Sequence, residues 1–238
     1  MSDENREKRT AEKIRTAEAE ASAYVIDRRR WYHAHPEVAY EERATTAQIC
    51  ADLDALGIPY ERPTATGVVA TIRGRAAGAY GQDGSPRRRL MLRADIDALP
   101  VTEETGEPFC SLIEGRMHAC GHDCHIAMLL GAARLLASMT DELAGEVRLV
   151  FQPAEEGGNG SKTMIEAGVL EGVDGVYGMH IWSDVPAGKV SVEAGPRMAA
   201  TDWWRIDVTG RSAHGAMPNQ GADAVLAGAA IVESLQAI

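Results

Sequence analysis

The chain has 238 residues, of which 45% are apolar, and its formal net charge is -11. This length fits one large domain, or one domain and part of another, around a buried core. The excess of 35 acidic over 24 basic residues argues against nucleic acid or an anionic membrane as the main partner.

The sequence also favours a protein of the cytoplasm. It contains no apolar run of about 18 residues, so no membrane span is predicted. The charged first 20 residues contain no apolar signal-peptide core. The four cysteines fit a reducing compartment better than a disulfide frame, and cysteines that lie close to histidines there suggest metal or catalytic chemistry: Cys50, Cys110, Cys120 and Cys124.

The first third of the chain predicts two helices and one strand. A helix is expected over residues 4–32 and ends where His35 precedes a proline, which disfavours helical backbone. The second helix covers residues 41–56 and stops at Gly57. A strand follows at residues 67–73, and residues 75–88 form an exposed loop.

The middle of the chain predicts an α/β fold, because short apolar strands alternate with helices. We expect a mostly parallel central sheet flanked by helices, and each strand runs into a polar cluster. Ligands bind at the carboxyl edge of such sheets, so the clusters should meet there. The predicted strands cover residues 89–93, 146–151 and 173–177, and the helices cover residues 126–139 and 161–167.

The composition changes near residue 198, where a second domain is expected to begin. Residues 203–210 have the alternating character of a strand. A loop with His214 and Pro218 follows, and a helix runs from about residue 222 to the last residue. The predicted domains are therefore residues 1–198 and the incomplete residues 199–238.

The strongest chemical signal is Cys120 with His122, within a run of residues 117–125 that is dense in metal-ligand types. Thiolate and imidazole are preferred ligands of zinc and its neighbours, and alternate residues of an extended loop can reach one ion. A buried cysteine beside a helix-capping histidine would explain Cys-x-His alone equally well. The surrounding residues favour the metal site.

Glu155 and Glu156 form the second signal, since they follow a predicted strand. Adjacent carboxylates before two glycines are more often a solvated turn. A hydrolytic metal site, however, needs both an oxygen ligand and a base that accepts a proton from water.

Four further residues are weak signals individually. His180 at a strand end and His214 in a loop are usually structural. Asp95 and Asp97 follow a strand, where an aspartate caps a helix or hydrogen-bonds a ligand histidine. These residues gain weight only in combination with the cysteine and histidine cluster.

The motifs together resemble the peptidase family M20 amidohydrolases. The similar branch contains hippurate hydrolases, N-acyl-amino-acid amidohydrolases and plant auxin-conjugate hydrolases. The similarity covers nearly the whole chain after about residue 24, and it rests on these stretches: residues 33–37, 93–100, 117–123, 151–157, 178–180 and 210–214.

The resemblance implies a role for each matching residue. The metal ligands would be Cys120, His122, Glu156 and His180, with Cys120 where related branches place a bridging carboxylate. Glu155 matches the general base and Asp97 an aspartate that orders the site. His214 matches a lid-domain histidine that stabilises the tetrahedral intermediate in a partner subunit's site.

The resemblance also implies two divalent ions (zinc, manganese, cobalt or nickel), hydrolysis of N-acyl amino acids, and a homodimer formed through the lid. The family pattern is longer and supplies one more histidine ligand. We therefore expect a fragment or a shortened relative of an enzyme.

Three alternatives stay open. A dipeptidase or carboxypeptidase of the same superfamily would have a similar site. An inactive relative would at most bind metal. A thiol redox protein using Cys120 and Cys124 is disfavoured, because their spacing is not Cys-x-x-Cys.

Overall fold

The computed structural model describes residues 3–202 and 204–237. The chain divides into two compact units, residues 1–184 and residues 185–238. The domain boundary expected near residue 198 stays a prediction.

Within its described residues, 3–184, the first unit contains four α-helices, a 3-10 turn and a five-stranded sheet. The helices are α1 (Asp3–Ala34), α2 (Arg43–Ala55), α3 (His122–Ser138) and α4 (Gly160–Glu166), and the 3-10 turn is Thr140–Glu142. The strands are β1 (Tyr60–Glu61), β2 (Val68–Arg73), β3 (Arg89–Asp95), β4 (Glu146–Gln152) and β5 (Gly175–Gly178).

The sheet has the strand order β1-β2-β4-β3-β5. Strand β3 pairs in parallel with both β4 and β5, whereas β2 is antiparallel to both β1 and β4. Only β2 therefore runs against the other four strands. The predicted α/β class is confirmed, and the sheet is mixed.

Alternating side chains of the strands build two cores, one on each face of the sheet. On one face, Ala70 and Leu149 pack with the buried residues of α2 and α3. On the other face, Val69 and Val150 pack with Met164 of α4. This period of two is expected for strands that are covered on both sides.

Helix α3 begins at His122, not at the predicted residue 126. Gly121 precedes it with a φ of +89°, a conformation that glycine adopts easily. This left-handed residue turns the loop into the helix one turn earlier. His122 and Asp123 thus belong to the first helical turn, while Cys120 lies in the preceding loop.

The second unit contains a 3-10 turn, Pro218–Gln220, and helix α5, Ala224–Leu235. Asp223 caps α5, because one oxygen of its carboxylate accepts from the N–H groups of Val225 and Leu226 at 2.9 and 3.0 Å. The helix ends at Leu235, whereas it was predicted to reach the last residue, which lies outside the described residues.

The strand predicted over residues 203–210 is wrong for residues 204–210, which have no ladder of strand hydrogen bonds. Residue 203 lies outside the described residues. A strand needs a neighbour for its backbone groups. In this region the described bridge joins Arg211 to Ala222 instead, after the predicted strand ends.

None of the described helices combines the length and apolar character that crossing a membrane requires.

Candidate metal centre

The predicted polar clusters meet beyond the carboxyl ends of β3, β4 and β5. Asp95 and Asp97 come from the end of β3, Glu155 and Glu156 from the segment after β4, and His180 from the segment after β5. The start of α3 and the loop before it add the remaining residues of the cluster. The sheet therefore delivers residues that are far apart in sequence to one edge.

His122 is buried and presents a free ring nitrogen to this edge. Its Nδ1 lies 2.8 Å from the carbonyl oxygen of Asp97. A carbonyl only accepts, so Nδ1 carries the proton, and in the neutral ring Nε2 has a lone pair. That Nε2 has no hydrogen-bond partner among the described residues, and it lies 3.8 Å from Oε1 of Glu156, which also has none.

His180 has the same arrangement at the rim of the cluster. Its Nδ1 donates to the carbonyl oxygen of Ile181 at 2.5 Å, which leaves Nε2 as a lone pair. This Nε2 lies 3.4 Å from Sγ of Cys120. Ligand histidines in metalloproteins are usually held in this way, by a carbonyl or carboxylate on the other nitrogen.

Asp97 organises the adjacent glutamates through their backbone. Its two carboxylate oxygens accept from the N–H groups of Glu155 and Glu156 at 3.0 and 2.9 Å. Burial raises the pKa of Asp97, but the nearby His122 ring and then these two backbone bonds lower it below its ordinary value. The ionised aspartate therefore fixes the backbone of the two glutamates and, with it, the directions in which their side chains project.

The acidic character of the cluster also affects the thiol and Asp95. Burial and then the carboxylate of Glu156 raise the pKa of Cys120 to about 12. Burial raises the pKa of Asp95 as well, but the hydrogen bond from His125 and the nearby His122 and Arg93 hold it at about 2. A divalent cation would stabilise the Cys120 thiolate against the surrounding negative charge.

Among the described residues, three overlapping sets of side chains have ligand atoms within 4.8 Å of one another. His122 is common to all three, and the sets are Cys120 with His122 and His180, Asp95 with His122 and His125, and His122 with Glu155 and Glu156. The unpartnered atoms of His122 and Glu156 are the sign expected of a cation site. The donor set therefore fits divalent metal.

The structure brings six of the seven predicted site residues to this edge: Asp97, Cys120, His122, Glu155, Glu156 and His180. The seventh, His214, lies exposed in the second unit, where its Nδ1 accepts from the N–H of Ala216 at 3.1 Å. The role predicted for His214 stays a prediction.

His125 was not predicted as a site residue, although it lies at the centre of the histidine cluster. Its ring stacks with His122 at 5.4 Å and meets His180 edge-on at 4.7 Å between centroids. The signal was present in the sequence, because residues three apart share one face of a helix. It was missed because α3 was expected to begin after this residue.

Comparison with known proteins agrees with the geometry. The sequence pattern of "Peptidase family M20/M25/M40" matches residues 91–237. An N-acyl-L-amino acid amidohydrolase of Geobacillus stearothermophilus is 42% identical over 96% of this chain and 60% of its own length. Thermostable carboxypeptidase 1 of Saccharolobus solfataricus is also 42% identical, over 95% of this chain and 56% of its own length.

A solved structure is similar as well. The YXEP protein of Bacillus subtilis, described as a dinuclear metal binding peptidase from the M20 family, has a TM-score of 0.69 and 42% identity. The match covers 75% of this chain and 48% of that one. This chain thus spans no more than 60% of the length of either the amidohydrolase or the carboxypeptidase. The resemblance drawn from the motifs is confirmed, and the chain belongs to peptidase family M20/M25/M40.

Proposed function

We propose that this chain forms the metal-binding part of an amidohydrolase that cleaves the amide bond of N-acyl amino acids. The observation that carries the proposal is the pair of histidines at this edge: Nε2 of His122 has no described hydrogen-bond partner and lies 3.8 Å from Oε1 of Glu156, and Nε2 of His180 lies 3.4 Å from Sγ of Cys120. Two divalent ions held there would polarise the amide carbonyl and lower the pKa of a water.

The protein's own residues would then handle the proton. Glu155 is exposed at the same edge, and its backbone is held by Asp97. As general base, Glu155 takes a proton from the attacking water. It then delivers the proton to the leaving amine nitrogen when the carbon–nitrogen bond breaks. Glu156, whose backbone is also held by Asp97, would serve as a metal ligand.

The test of this assignment is the substitution Glu155→Gln, made in the full-length protein. Turnover of N-acetyl amino acids should fall by roughly 10²- to 10⁴-fold. The metal content should not change, because Glu155 is proposed as base and not as ligand. Glu166→Gln is the matched control, since Glu166 is an exposed glutamate of α4. Near-normal turnover of the Glu155 variant would contradict the role.

A carboxypeptidase is a second candidate function, because this chain is equally identical to a relative of that name. The Cys-x-His form of the site favours the acyl-amino-acid substrates. A panel that compares N-acetyl and N-benzoyl amino acids with dipeptides distinguishes the two. A chain that binds two ions but hydrolyses neither set would be an inactive relative.

The proposal also includes the identity of the ions, the cellular location, the domain division and the oligomeric state. We propose zinc, cobalt, nickel or manganese as the ions, a cytoplasmic location, and domains of residues 1–198 and 199–238. The second domain would form a homodimer and bring His214 to the partner subunit's site. Sedimentation of the protein with and without residues 199–238 tests the dimer.

A further inference from the structure

His125 is a buried histidine of α3 that the proposed reaction does not use. Its Nδ1 lies 2.5 Å from Oδ1 of Asp95, and its Nε2 lies 3.0 Å from the backbone nitrogen of Ile181. An amide N–H only donates, so Nε2 is the acceptor and Nδ1 carries the proton that goes to Asp95. Both nitrogens of His125 are therefore engaged in hydrogen bonds.

The hydrogen bonds of His125 differ from those of its two neighbours in the cluster, His122 and His180. His122 and His180 each give their Nδ1 proton to a carbonyl, which leaves Nε2 of His122 without a described partner and Nε2 of His180 facing Sγ of Cys120. His125 uses its Nε2 lone pair for Ile181 instead. Although Asp95, His122 and His125 lie close enough to hold an ion, His125 can become a ligand only by releasing the Ile181 N–H.

Ile181 makes a second contact, through its side chain, with Gly121. A Cβ placed on Gly121 would lie 2.2 Å from Cδ1 of Ile181, so the isoleucine side chain sits directly against the glycine. Ile181 is thus held through its backbone by α3 and through its side chain by the loop that carries Cys120. His180 is the preceding residue, and its ring reaches Sγ of Cys120 at 3.4 Å.

We propose that the Asp95–His125 pair is a positioning device: it holds the Ile181 N–H and so places His180 as a metal ligand opposite Cys120. Asp95 orients the His125 ring, and the ring fixes the backbone of the segment after β5. This inference rests on the proposed function, since it takes His180 to be a ligand.

The experiment uses the 238-residue chain, freed of metal with a chelator and titrated with Co²⁺. The thiolate-to-cobalt charge-transfer band reports Cys120, and competition with a chromophoric chelator gives the dissociation constant. His125→Leu should weaken the tightest site by roughly 10- to 100-fold, the usual effect of losing a group behind a ligand. His125→Gln should recover part of the affinity, because its amide oxygen can still accept from Ile181.

A double-mutant cycle with His180→Ala distinguishes positioning from other roles. If His125 acts through His180, the His125→Leu/His180→Ala chain binds Co²⁺ about as weakly as His180→Ala alone. Additive losses would overturn the proposal, because they would make His125 an independent ligand or a general support of the fold. Equal affinity of His125→Leu and the unchanged chain would also overturn it.

Two controls keep the outcomes apart. His118→Leu removes another buried histidine, one whose ring nitrogens have no described hydrogen-bond partner, and it should leave the Co²⁺ affinity nearly unchanged. If it weakens binding as much as His125→Leu does, loss of packing explains both and the positioning role is wrong. If His180→Ala itself binds Co²⁺ normally, the ligand role of His180 in the proposed function fails, and with it the role of His125.

Discussion

A carboxylate oxygen of Glu42 accepts a hydrogen bond from the backbone N–H of Ala154 at 2.8 Å. Both residues are completely buried, and Ala154 has a φ of +50°, which costs a residue with a Cβ about 1–2 kcal/mol. Ala154 immediately precedes Glu155 and Glu156. The buried glutamate therefore helps to hold an unfavourable turn from which both proposed functional carboxylates project.

Replacing Glu42 by alanine should destabilise the chain. The Ala154 N–H would remain buried without an acceptor, which costs about 1–3 kcal/mol in the free energy of unfolding. Urea denaturation followed by circular dichroism measures this change. Glu42→Gln is the matched control, because its amide oxygen can accept the same bond. An alanine variant as stable as the original chain would show that the bond is not needed.

The difference in stability between the original chain and Glu42→Gln should also depend on pH. Burial raises the pKa of Glu42 above its ordinary value, so ionisation is less favourable in the folded chain than in the unfolded one. The contribution of Glu42 to the free energy of unfolding is fully present below about pH 4.5. It is lost as the pH rises through the raised pKa. Relative to Glu42→Gln, the original chain should therefore be less stable at neutral than at acidic pH.

His33 should also stabilise the folded chain at low pH and lose this effect as the pH rises, over a higher pH range than Glu42. Its hydrogen bond to Asp123, at 2.8 Å, raises its pKa against the effect of burial, and Glu103 lies 3.2 Å from its other nitrogen. The stability from this histidine is full below about pH 6.5 and disappears as the pH rises through the raised value. The advantage of the original chain over His33→Gln should therefore shrink as the pH rises above about 6.5.

His118 provides a control of opposite sign for the same measurement. Burial lowers its pKa to about 4, so its charged form is disfavoured in the folded chain. The original chain should therefore gain stability relative to His118→Gln as the pH rises from about 4 to about 6.5. Parallel pH profiles for the two variants would contradict both assignments.

The α/β class and the meeting of the polar clusters could be predicted from the sequence. Short apolar strands alternating with helices indicate the sheet, and residues after parallel strands share its carboxyl edge. Cys120 and His122 stood out because ligand residue types are dense around them. Their individual roles as metal ligands came from the resemblance to the M20 amidohydrolases.

The supporting residues could not be predicted in the same way. The role of His125 depends on the N–H of Ile181, and that of Glu42 on the N–H of Ala154, both far along the chain. A backbone donor has no signature in a sequence. The strand expected before Gly210 was wrong because alternation shows only that a segment suits a sheet, whereas pairing requires a neighbouring strand.

The nature of the ligand at position 120 should decide which metal the site prefers. Thiolate favours zinc, cobalt and cadmium, whereas carboxylate oxygen favours manganese and magnesium. Cys120→Asp should therefore shift the ratio of Mn²⁺ to Cd²⁺ affinity toward manganese by roughly 10-fold or more. The thiolate-to-cobalt charge-transfer band should also disappear. Competition titrations on the metal-free chain measure both effects.

Cys124→Ser is the control for this substitution. Cys124 is a half-buried free thiol of the first turn of α3, and it belongs to none of the described sets of possible metal ligands. Its replacement should leave the affinity ratio and the charge-transfer band intact. If Cys124→Ser abolishes the band while Cys120→Asp retains it, the thiolate ligand is Cys124 and the His180-facing thiol has another role. Retention of both properties in Cys120→Asp would remove the thiol from the metal site altogether, because an aspartate cannot reproduce a sulfur-to-metal transition.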